Sequence, residues 1–135
     1  FNVGANMTVP FFSVVVRKGY GLGANAMAGS STQIGMFNVG WPTAEFYGMN
    51  VEGSVKLGYR KELEAIKDPE ERLAEFQRRV DEAYEGAKAV NASAGGGLDD
   101  VIDPADTREW IAQSMSRLPP PAPRSEKKYP YINTW

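Results

Sequence analysis

Only three of the first 51 residues carry a charge: Arg17, Lys18 and Glu45. A stretch that long, with so few groups that need water, has to be buried or held in an interface. From Glu52 onward charge becomes dense, in a chain whose formal net charge is −2. The chain therefore reads as an apolar layer covered by amphipathic helices. Its 42% hydrophobic and 24% charged residues suit a globular protein with a real core. There is no basic field to hold a phosphate backbone, so nucleic acid is excluded as a partner. No apolar run approaches the roughly 20 residues of a membrane span.

Within the apolar part, Pro10 to Val16 is a β-branched and aromatic run after a proline, which predicts a strand buried on both faces. A glycine-rich turn follows, then Ala24-Asn25-Ala26-Met27-Ala28, small residues suited to a close-packed buried helix. Met36 to Trp41 predicts a second strand, ended by Pro42, and Phe46 to Met49 a short third extended segment. Val51 to Tyr59 reads as helical. Asp68-Pro69-Glu70-Glu71 is a strong helix start, with Asp as N-cap, Pro in the first turn and two acids beside the dipole. Leu73, Phe76, Val80, Ala83, Tyr84 and Ala87 then recur at helical spacing. After Gly95-Gly96-Gly97, Leu98 to Ile102 predicts a strand. Asp103-Pro104 opens a last helix with Trp110, Ile111, Met115 and Leu118 facing inward. From Pro119 to Trp135 the prolines predict an extended arm. This order of elements indicates an α/β fold with crossover helices. The opening residues, Phe1 to Met7, carry no starting cap and read as the continuation of a fold begun elsewhere.

The chain has no histidine and no cysteine. Ser-His-Asp and Cys-His catalysis are thus excluded within it, and no thiolate metal site exists. No metal is expected, and a reducing setting is compatible. What remains is backbone dipoles, carboxylates, lysines, tyrosines, or chemistry that resides in a cofactor. A strand that runs through Arg17-Lys18-Gly19-Tyr20-Gly21-Leu22-Gly23 into a helix presents free N–H groups beside a positive helix end, a site for a phosphate or a developing oxyanion. The same glycines also suit a helix start that merely permits tight packing. Gly21-x-Gly23-x-x-Ala26, with Glu45 downstream, matches the dinucleotide fingerprint as well. Against that match, Arg17 to Tyr20 separate the strand from the first glycine, and Glu45 follows Trp-Pro-Thr rather than closing an apolar strand. Arg17 and Lys18 fit an anion or a solvated strand end, and Glu45 fits a buried pairing.

Six segments occur here in order: Arg17-Lys18-Gly19-Tyr20-Gly21; the alanine/methionine helix through Gly29; Trp41-Pro42-Thr43-Ala44-Glu45; Glu52-Gly53-Ser54-Val55; Tyr59-Arg60-Lys61-Glu62-Leu63; and Asp99-Asp100-Val101-Ile102-Asp103-Pro104. Together, from about Val9 to Arg117, they resemble the C-terminal carboxyltransferase domain of biotin-dependent acyl-CoA carboxylase β subunits of the propionyl-CoA and methylcrotonyl-CoA carboxylase type. The resemblance implies a crotonase-like spiral of ββα turns. Residues 1–118 would be the later part of that domain, with peripheral helices, and 119–135 the extended C-terminal arm. It also implies carboxybiotin on a carrier domain as cofactor and acyl-CoA as substrate. The hard chemistry then lies in biotin, and the protein stabilises enolate-like oxyanions and excludes water.

By register with the family, the backbone N–H groups of Leu22 and Gly23 form the biotin-side oxyanion hole, and Gly21, Leu22, Gly23 and Ala24 line the biotin site. The family usually has two small residues at the oxyanion positions, from which Leu22 departs. Asn25 falls where members vary with acyl-group preference. The implied partners are a biotin carboxylase, a biotin carrier subunit, the remainder of its own carboxyltransferase subunit and further copies of it, in the cytoplasm or a mitochondrial matrix. On this reading the isolated chain is inactive, and a β-branched residue at Gly23 blocks the turn through φ restriction and bulk. A non-catalytic assembly module is the alternative. A crotonase-type hydratase or isomerase would need a pair of glutamates near the turn, where the sequence offers Glu45.

Overall fold

The computed structural model describes residues 1–7, 9–29, 31–32 and 35–120. A four-residue helix, α1 (Asn2–Ala5), precedes strand β1 (Phe12–Val15), and a second short strand, β2 (Lys18–Tyr20), runs straight into α2 (Gly21–Met27). Strands β3 (Phe37–Gly40) and β4 (Glu45–Tyr47) follow, then helices α3 (Val51–Gly58), α4 (Arg60–Ala65), α5 (Pro69–Ala87) and α6 (Ala89–Ala94). Strand β5 (Asp100–Val101), a 3-10 turn (Pro104–Asp106) and α7 (Thr107–Ser116) complete the described chain. The extended arm expected over 119–135 lies, beyond Pro120, outside the described residues.

The architecture is α/β, as the order of elements predicts. Two parallel sheets form: β1-β3-β5, and a two-stranded pair of β2 with β4. In the first, Phe12 lies opposite Phe37 and Val15 opposite Gly40. In the second, Lys18 lies opposite Glu45 and Tyr20 opposite Tyr47. Strand alternation explains how β3 serves two cores. Phe37 and Val39 turn to one face, where they meet Ile102, Phe12, Val14, Trp41 and Trp110. Gly40 faces the other way, towards Leu98, Ala44 and Ala89. A third cluster of Val51, Val55, Val80 and Ala87 joins α3 to α5, and the rings of Tyr20, Tyr47 and Tyr84 pack against it.

Several expectations need correction. β1 is not buried on both faces: each of its residues is half-exposed. It sits at the end of its sheet with β3 as its one strand neighbour among the described residues, and only the central strand β3 is buried throughout. α2 is not a buried helix either, since no residue in it is buried, and Leu22 and Met27 are 72% and 82% exposed. A helix of small residues has no wide apolar stripe to drive burial, so it is held from its ends, by the glycine turn and by buried Ala28. Within α7 the half-buried positions are Thr107, Trp110 and Ser114, and Leu118 is half-buried just beyond its end. Ile111 and Met115 face out. Arg17 to Tyr20 is no mere connection, because Lys18–Tyr20 forms β2.

The helix start at Asp68 is confirmed. One carboxylate oxygen accepts from the N–H groups of Glu70 (2.7 Å) and Glu71 (3.1 Å), and Pro69 needs no acceptor. Further along α5, Glu75 accepts from Arg78 (2.8 Å) and Arg79 (2.6 Å). The guanidinium of Arg78, then that of Arg79, hold its carboxyl down to about 2 from an ordinary 4.5. A depressed carboxyl pKa stabilises the fold above the ordinary value, and the contribution fades as pH falls from 4.5 towards 2. An NMR titration of the Glu75 carboxyl should therefore show a midpoint near 2 that climbs in Arg78→Gln. A midpoint at 4.5 would mean the cluster does not form in solution.

Candidate functional site

The glycine turn is built by β2 and its partner β4. Tyr20 is the last residue of β2, in extended conformation, and serves as N-cap of α2 without contributing a side-chain cap. Gly21 then takes φ +60°, which swings the chain from strand into helix. An L side chain resists that conformation, and a Cβ there would lie 3.3 Å from the carbonyl oxygen of Gly48. The first N–H groups of a helix have no partner inside it. With no side chain capping α2, those of Leu22 and Gly23 are left pointing out of its positive end.

This start opens beside a cleft of about 770 Å³. One wall is the edge of β1 from Phe12 onward, continued by Arg17 to Tyr20; the other is the face of α2 that carries Gly23, Ala24 and Met27, with Ala28 just past its end. Of the residues assigned to the biotin site by family register, Gly23 and Ala24 line this cleft, as do Arg17 and Lys18. Gly21, Leu22 and Asn25 do not. The Leu22 side chain stands in solvent, so its bulk does not narrow the cleft and its contribution is confined to its backbone. Asn25 is half-buried on the same helix. At Gly23 the φ argument fails, because the positive φ belongs to Gly21 and not to Gly23. A Cβ at Gly23 would meet nothing within 4 Å, so its effect would be bulk in open space before the turn.

Sequence reading missed the polar cluster beneath the turn. The Tyr20 hydroxyl donates to Glu45, and that of Tyr84 donates to Glu52 at 2.6 Å. Burial first, then the bond to Glu45, pushes the Tyr20 phenol above its ordinary range. The bond to Glu52 does the same for Tyr84 and lowers Glu52 in turn. Both tyrosines thus remain donors at any physiological pH. Glu45, for which the sequence suggests a buried pairing, is bound by a phenol. Glu52 also acts electrostatically on Tyr20, so two glutamates stand near the turn, each already accepting from a tyrosine. Only the excess of tyrosines between residues 20 and 84 hints at this, since the pairings span 25 and 32 positions. Among the described residues, no group of three acidic side chains could hold a metal ion, and no helix is long and apolar enough to cross a membrane.

The structure thus presents, on an α/β scaffold, an uncapped glycine-rich helix start beside a cleft. The particular family follows from comparison: residues 3–125 match the model of the carboxyl transferase domain, and the chain belongs to that family. It is 39% identical over 112 residues to the carboxyltransferase subunit of propionyl-CoA carboxylase from Haloferax mediterranei, a match covering 82% of this chain and 21% of that protein. It is likewise 39% identical over 113 residues to the 12S subunit of methylmalonyl-CoA carboxyltransferase from Propionibacterium freudenreichii subsp. shermanii, covering 80% of this chain and 20% of the relative. The chain therefore spans about a fifth of the length of these relatives. Among solved structures it resembles a single-chain, multi-domain long-chain acyl-CoA carboxylase, with 50% identity and TM-score 0.65 over 82% of this chain and 10% of that one. It also resembles the transcarboxylase 12S hexamer with methylmalonyl-CoA and methylmalonic acid bound, with 32% identity and TM-score 0.68 over 93% of this chain and 25% of that one.

Proposed function

We propose that this chain is the later part of the C-terminal domain of a larger acyl-CoA carboxyltransferase, of the crotonase-like ββα spiral type, with residues 1–118 in the domain and 119–135 as its arm. That enzyme moves a carboxyl group between carboxybiotin and the α-carbon of an acyl-CoA. The carrying observation is the uncapped start of α2, whose free N–H groups open beside a cleft that Gly23 and Ala24 border on the helix side. The residues fit biotin: Gly23 leaves open space before the turn and Ala24 adds little bulk. Biotin, when bound, supplies the nitrogen that carries the carboxyl group and the base that accepts the substrate α-proton.

The chain's own contribution is electrostatic. The N–H groups of Leu22 and Gly23 donate to the ureido oxygen and stabilise negative charge that gathers there. They are already aimed, so no reorganisation is needed at the moment of reaction. Ala24 and Met27 border one side of the cleft. Asn25, outside the β1 cleft, is the position from which acyl-group preference is set. The partners on this reading are a biotin carboxylase, a biotin carrier, the remainder of the same subunit and further copies of it, in the cytoplasm or a mitochondrial matrix. A chain that spans a fifth of its relatives supports an incomplete active site.

The test is transfer of a labelled carboxyl group from carboxylated acyl-CoA to free biotin, across a panel of acyl groups. The enzyme that contains this chain should catalyse it, and the isolated 135 residues should not. Transfer by the isolated chain would overturn the shared-site reading. No transfer by the whole enzyme would favour an assembly role, which an apolar groove with exposed Leu57 and Leu73 also suits.

A further inference from the structure

We infer that Tyr20 and Glu45 form a positioning pair that fixes the direction of the Leu22 and Gly23 donors, and so sets the rate of carboxyl transfer through the turn. This rests on the turn being the biotin-side oxyanion site. Three parts of Tyr20 are held by three different elements. Its backbone pairs with Tyr47 across the β2–β4 ladder. Its ring packs against the cluster of Val51, Val55, Val80 and Ala87. Its hydroxyl is anchored on Glu45, the first residue of β4. The next residue is Gly21 at φ +60°, and the donors follow immediately. Any rotation of Tyr20 about its strand is therefore passed on to the turn.

Packing alone does not need the hydroxyl, because a phenylalanine would fill the same apolar surroundings. Nor would an unaided carboxylate stay oriented at Glu45. Its register partner, Lys18, is exposed, and the opposite side of its backbone bridges to Lys88 at the start of α6. The bond to Tyr20 ties the carboxylate to the turn rather than to either lysine. Tyr84 and Glu52 repeat the phenol–carboxylate arrangement and act electrostatically on Tyr20. The Tyr84 ring packs against the same cluster of Val51, Val55, Val80 and Ala87 as the Tyr20 ring.

The experiment uses the full carboxyltransferase that contains this chain, with free biotin and its best-used acyl-CoA as probes. Tyr20→Phe should lower kcat for transfer by about tenfold or more, as a small misplacement of donors does. The KM for acyl-CoA should stay within about twofold and the melting temperature nearly unchanged. Glu45→Leu should show the same loss, and Glu45→Gln, which keeps an acceptor for the phenol, should recover most of it. The double variant Tyr20→Phe/Glu45→Leu should be no slower than Glu45→Leu alone, since the two act as one unit. Wild-type kcat in Tyr20→Phe overturns the inference. Should that variant fold poorly, the Glu45 pair decides: equal losses in Glu45→Leu and Glu45→Gln, or none in either, overturn it too. Gly23→Val separates this from the reading beneath it. Lost transfer there with a normal Tyr20→Phe sinks only the positioning pair, whereas unchanged transfer in Gly23→Val sinks the oxyanion turn itself.

Discussion

Gly23→Val, made in the carboxyltransferase that contains this chain, should cut carboxyl transfer by more than about a hundredfold while leaving the fold intact. The magnitude is that of disabling one oxyanion donor. The fold survives because a Cβ at this position meets nothing within 4 Å, and because Gly23 does not need positive φ. Within α2 the change is neutral or slightly favourable, since valine outranks glycine as a helix former by about 0.5 kcal/mol. Function is lost for a geometric reason. Cα–Cβ bonds lean towards the N-terminus of their helix, so the valine methyl groups project into the space before the free N–H groups. Rates and melting curves on the same preparation check this. A lowered melting temperature with retained transfer would reverse the account of which role Gly23 plays.

Gly40→Val should show the opposite phenotype. Here a Cβ would lie 2.9 Å from Leu98 Cδ1, 3.3 Å from Ala44 Cβ and 3.5 Å from Ala89 Cβ, before the two methyl groups of valine are added. The strand cannot shift aside to relieve this. The Trp41 N–H donates to the carbonyl of Val15 on one side at 3.0 Å, and the Ile102 N–H to that of Gly40 on the other at 2.9 Å. Overpacking of this kind costs about 1–3 kcal/mol, and a pinned central strand belongs at the upper end. The apparent melting temperature should fall by roughly 5 °C or more. Transfer measured well below that temperature should persist. An unchanged melting temperature would mean that Leu98, Ala44 and Ala89 are not packed around β3 as described.

What was legible in the sequence was local. Asp68-Pro69 specifies its helix start because the cap is completed within three residues, whatever the rest of the chain does. The glycine turn was legible for the same reason: a strand, a glycine and a helix are contiguous. Which glycine carries the strain was not. Gly21 and Gly23 look alike in sequence, and only the path of the chain past Gly48 assigns positive φ to the first. β2 escaped notice because three residues centred on a glycine have no periodicity. It is defined by Lys18 to Tyr20 lying in parallel register with β4, a pairing 27 residues away. The Tyr20–Glu45 bond depends on that register and was illegible with it. The exposure of α2 and the outward face of α7 were misread because helical spacing gives an apolar side without saying how much of it this chain covers. Asn25 came from family register alone, and the structure leaves it off the cleft wall.

The most direct measurement is a structure of the complete carboxyltransferase with biotin bound. The ureido oxygen should lie about 3 Å from the backbone nitrogens of both Leu22 and Gly23, within hydrogen-bond reach of an oxyanion site. Gly23 and Ala24 should border the ring, with the Leu22 side chain turned away. A ureido oxygen held by other donors, with the start of α2 facing solvent or another protein segment, would contradict the account.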